Sequence, residues 1–105
     1  MQVVRIDKKG RVLDHVVTVK KNEDQGLIWV ALGNGGPWTV SFDKPGVIPA
    51  GSPFVPTAFT VNQGDYEKSG PLKPGIVNGT YKYNVKDPSK NPPNDITDDP
   101  DVDVE

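Results

Sequence analysis

Apolar residues along this chain fall in short runs, mostly at alternate positions. Gln2–Ile6 (QVVRI) is a β-prone run closed by the turn Lys8-Lys9-Gly10. Arg11–Val19 (RVLDHVVTV) follows. At period 2, Leu13, His15, Val17 and Val19 share one face, and Val12, Asp14, Val16 and Thr18 the other. Leu27–Leu32 (LIWVAL) is apolar without a break, which predicts a central strand covered on both faces. Trp38–Phe42 (WTVSF) alternates, with Trp38, Val40 and Phe42 on one side. Ala58–Val61 (AFTV) is a further strand. Thr80–Val85 (TYKYNV) follows the turn dipeptide Asn78-Gly79 and sets Tyr81, Tyr83 and Val85 on one face. The end, DVDVE, turns Val102 and Val104 inward and Asp101, Asp103 and Glu105 outward.

The segments between are polar or rich in Pro and Gly. Asp43 to about Thr57 carries four prolines, and its apolar residues Val47, Ile48, Phe54 and Val55 predict a crossing loop that partly packs. Asn62–Lys73 is polar, and about 86–98 is irregular. The chain has 105 residues with 11 Gly and 11 Pro, a density of turn signals that opposes long helices. About seven strands at this spacing predict one all-β domain over 1–105, an antiparallel β-sandwich.

Composition removes several functions. There is no apolar window of about 18 residues, hence no membrane span. The net charge of −2 gives no electrostatic case for nucleic acid. With no Cys, disulfides, thiolate metal sites and Cys nucleophiles are excluded.

Two motifs resemble the plastocyanin-like branch of the cupredoxins. The first is Gly36-Pro37-Trp38-x-Val40-x-Phe42-Asp43 followed by Ile48-Pro49-Ala50-Gly51; the second is Gly79-Thr80-Tyr81 leading to Val85. Asp24–Leu32, with Trp29, is similar to the family's strand before its first ligand, and Asp99–Glu105 to its last strand. The resemblance covers roughly 12–105 and implies a Greek-key arrangement. In that family a His, a Cys, a second His and a Met bind copper. Here Trp38 stands in the first His seat, Val85 in the Cys seat and about Pro88 in the second His seat, and the only Met is Met1. A type 1 copper site needs a thiolate and two imidazoles, so this chain cannot form one.

What chemistry remains is slight. His15 is the single imidazole and reads as a strand histidine beside Leu13 and Val17. No Ser/His/Asp arrangement has a nucleophile elbow to support it, so the chain reads as non-enzymatic, without catalytic residues or cofactor. Asp95, Asp98, Asp99 and Asp101 are weak Ca²⁺ candidates, though their spacing lacks the pattern of a Ca²⁺ loop. Alternate Asp residues also blunt an exposed edge strand, the other reading of this tail. Pro37, Trp38 and Pro88 mark a candidate patch for a protein partner at the former copper end. Trp38 and Val85 also read as apolar filling of the vacated site. The function implied is a non-catalytic protein-binding or structural module, with divalent-cation binding as the alternative. The resemblance leans toward an exported or periplasmic setting, although the start MQVVRIDKKG lacks the apolar region of a signal peptide. Compartment and oligomeric state are not assigned.

Overall fold

The computed structural model describes residues 1–23, 26–90, 94–96 and 99–105, with backbone alone at 94–96. Ten strands and no helix are present among them: β1 Gln2–Ile6, β2 Val16–Val19, β3 Leu27–Ala31, β4 Trp38–Ser41, β5 Ala58–Val61, β6 Tyr66–Lys68, β7 Gly79–Lys82, β8 Asn84–Asp87, β9 Asn94–Ile96 and β10 Asp101–Val104.

One layer has the order β1-β3-β6. The other is built from β2-β10-β7 and β5-β4-β8-β9, joined because β7 runs into β8 with only Tyr83 between them. The layers meet across one core. Val4, Ile6, Leu27, Trp29 and Ala31 enter it from the first, and Trp38, Val40, Phe59, Tyr83, Val85 and Val102 are among those from the second. The Trp29 ring lies 4.7 Å from Phe59 and 5.8 Å from Tyr83, edge-on to the latter. Each such aromatic pair adds about 0.5–1.5 kcal/mol beyond its buried area.

The sheets are mixed, where the alternation predicts antiparallel ones. β1 runs parallel to β3 and β10 parallel to β2; the other pairings are antiparallel. Ten strands replace about seven. The short β6 falls inside a stretch read as polar, β9 inside the segment read as irregular, and the Thr80–Val85 run is divided at Tyr83.

Three further expectations are corrected. Arg11–Val19 is not one strand. Val12 bridges Ile6 beyond the β1 edge, with Asp7 N–H donating to Arg11 C=O and Leu13 N–H to Arg5 C=O, both at 2.8 Å. The chain then crosses to the second layer and begins β2, which shifts the phase of the alternation. Val12 is therefore buried, while Leu13 and His15 are exposed. β3 is covered on one face only: Leu27, Trp29 and Ala31 are buried, and Ile28 and Val30 are half-buried. β10 is not an edge strand. It lies between β2 and β7, and its outward carboxylates are engaged: Asp103 accepts from Thr80 Oγ1 at 2.8 Å and Asp101 from Lys82 Nζ at 2.9 Å.

The 43–57 loop packs in part. Phe54 is fully buried and bridges Leu72, whereas Ile48 and Val55 are exposed.

Candidate functional site

Strand directions collect four turns at one end of the molecule. β1 and β3, running parallel, deliver the turn at 7–10 and the loop at 32–37. β5 ends beside Trp38, which adds the turn at 62–65. β8, antiparallel to β4 with Lys86 opposite Thr39, brings Asp87, Pro88 and Ser89.

The turns hold one another closely. Gln63 Nε2 donates to Asn34 C=O at 2.9 Å. The backbone of Lys8 runs so near Gly35 that a Cβ there would stand 2.5 Å from Lys8 Cα. Asp65 N–H donates to Asn62 C=O at 3.0 Å. Asp87 Oδ1 accepts from Ser89 Oγ at 2.6 Å and from Ser89 N–H at 2.9 Å. These bonds hold the Asp87 carboxyl below its ordinary range, since they favour the charged form.

Trp38 lies beneath this end rather than on it. It opens β4 directly after a cis Gly36–Pro37 peptide, is only 6% exposed, and its Nε1 has no hydrogen-bond partner among the described residues. Val85 is fully buried and pairs with Val40 on one side and Ile96 on the other. The positions that resemble copper-ligand seats thus sit on adjacent strands, filled by an indole and an isopropyl group. Pro37 and Pro88 are exposed at this same end. An apolar floor thus lies beneath polar turns at this end.

His15 stands apart. Its carbonyl accepts from Asp101 N–H at 2.7 Å just before β2, and β10 and β7 intervene between β2 and the strands carrying Trp38 and Val85. Among the described residues no three His, Cys, Asp or Glu side chains group to hold a metal ion.

Of the four acidic candidates, Asp98 and the Asp95 side chain lie outside the described residues, as does Asp24 at the start of the segment containing Trp29. Asp99 and Asp101 face cations of the chain itself. Lys82 Nζ reaches Asp99 Oδ2 at 3.2 Å and Asp101 Oδ1 at 2.9 Å, and Lys44 binds the other Asp99 oxygen. Hydrogen bonds from Lys44 and Lys82 hold the Asp99 carboxyl below its usual range.

Sequence reasoning places Trp29 and Tyr83 in the core but does not find their unpaired polar atoms. Among the described residues, neither Trp29 Nε1 nor the Tyr83 hydroxyl reaches hydrogen-bond geometry with a partner. Burial pushes the Tyr83 phenol up, and the nearby Trp29 N–H only partly opposes this. The alternation places both inside, but no pattern in the chain reveals an orphaned hydroxyl.

Set against family models, curated proteins and solved structures, the chain matches none.

Proposed function

We propose that this chain is a non-catalytic, cupredoxin-like Greek-key domain without type 1 copper, and that it acts as a protein-binding or structural module through the turns above Trp38. The observation that carries this is the β4–β8 pairing. It sets the two resembling motifs side by side, with Trp38 and Val85 as apolar filling below and Pro37 and Pro88 exposed above. Apolar filling is the expected repair when polar ligands are lost, because a vacated polar cavity is costly. The absence of Cys and the single His support the same reading from ligand chemistry.

The experiment has two arms. Cu(II) titration is expected to give no intense visible charge-transfer band, and a stoichiometric blue complex would remove the copper-free reading. Cross-linking in the native host then compares the wild type with a Pro37→Glu/Pro88→Glu variant that melts normally. Loss of cross-linked partners in the variant supports the binding end. Unchanged recovery sinks it.

A further inference from the structure

β3 is apolar on both faces, and only one face is covered. On the outer face, register sets Val3 of β1 and Lys68 of β6 beside Ile28, and Arg5 and Tyr66 beside Val30. Leu13 joins this row through its backbone bond to Arg5. Val3 and Leu13 are 48% exposed and Tyr66 is 57% exposed. A shallow groove of about 370 Å³ opens over Val3, Ile28, Val30 and Tyr66. A solvated outer sheet face normally carries polar residues, and a contiguous apolar patch there marks a contact surface.

We propose that this outer face of β1-β3-β6 joins two copies of the chain, packed sheet to sheet about a twofold axis perpendicular to the strands. Charge chooses a second copy, and area allows one. The apolar centre spans on the order of 300 Å² at ordinary strand spacing. A stable interface needs about 800 Å² per partner, with an apolar centre inside a polar rim. The molecule measures 35 × 28 × 19 Å, so only its broadest face offers that footprint. In a two-layer protein the broadest face is the outside of a sheet.

The charges fit the twofold. Lys68 and Asp65 flank the patch at opposite ends of β6, and neither forms an ion pair among the described residues. The proposed axis sets Ile28 over the second copy's Val30 and Lys68 beside its Asp65, and symmetry repeats both contacts. Arg5 brings no unpaired cation, because Asp14 already binds it at 3.0 Å.

Sedimentation equilibrium of the whole chain, from micromolar to millimolar, tests the proposal. The expected result is a mass that climbs from monomer to dimer and no further. Val3→Lys and Tyr66→Lys change exposed side chains and are expected to weaken the dimer at least about ten-fold, a change of about 1.4 kcal/mol. Val16→Lys, exposed on the other layer, is expected to leave it unchanged. Far-UV spectra and melting curves confirm that each variant folds. A wild type that stays monomeric at millimolar concentration overturns the proposal, as does a dimer indifferent to both outer-face variants.

Discussion

The Trp38 indole lies directly against Gly36: a Cβ on Gly36 would stand 3.4 Å from both Cδ1 and Nε1 of the ring. Gly36 also has φ +98, a conformation that L side chains rarely adopt. The backbone therefore demands glycine, while the ring leaves room for a methyl group in ordinary contact. Gly36→Ala is expected to lower stability by about 1–2 kcal/mol, from the backbone alone. Urea unfolding measures this, and an unchanged midpoint would contradict it.

Trp38→Ala removes a buried ring and is expected to cost about 3–5 kcal/mol. A surface residue would cost a few tenths. Chemical denaturation of a folded fraction decides between them. Trp38→Phe keeps most of the volume and discards an N–H that has no partner, so its loss is expected to be the smaller.

Tyr83→Phe points the other way. Its hydroxyl is buried without a well-formed hydrogen bond among the described residues, so folding strips it of water and the nearby Trp29 N–H returns little. Removing it is expected to leave stability unchanged or raise it by about 1 kcal/mol. A clear loss in thermal melting would mean that the hydroxyl has a bound partner.

The Lys44–Asp99–Lys82 contact gives a pH dependence of definite sign. The Asp99 pKa is lowered in the folded state, so its stabilisation is complete above the unfolded value of about 3.9 and fades as pH falls through the folded one. Asp99 also has φ 55, which Asn tolerates well, so Asp99→Asn isolates the charge. The carboxylate is half exposed, and the effect at pH 7 is expected to be under about 1 kcal/mol. Wild type and variant are expected to converge in stability below about pH 4. A gap that persists at pH 2 would refute the electrostatic origin.

With Asp99 and Asp101 both drawn to Lys82, Ca²⁺ is expected to produce no binding heat and no rise in melting temperature. Calorimetry and a melt in millimolar Ca²⁺ check this. A saturable one-to-one heat would restore the cation reading.

Much of the layout was legible where alternation alone decides it. β1, β4, β5 and β10 fall where their apolar residues recur at every second position, and Trp29, Tyr81 and Tyr83 are buried as their strand faces imply. Val12 and Leu13 mark the limit. Periodicity assumes one flat strand, and it loses phase where the chain leaves one layer for the other. β6 (YEK) has almost no apolar content and is held as a strand by register with Trp29 rather than by its own composition. Parallel pairing leaves no local trace, so nothing in DVDV tells that it lies between β2 and β7. At the candidate site the chain showed which residue types were missing. It could not show that Trp38 lies below the end and only its neighbours Pro37 and Pro88 reach the surface.

The position of β10 bears on how its sheet assembles. Of the ten strands it is the last to be synthesised, yet β2 and β7 touch each other only through it. Until residues 101–104 are in place, neither β2 nor β7 has a paired neighbour in its sheet. Both strands stay unpaired until that strand docks between them. A chain whose residues 101–104 are kept from docking is therefore expected to leave both edges open to pairing with other chains.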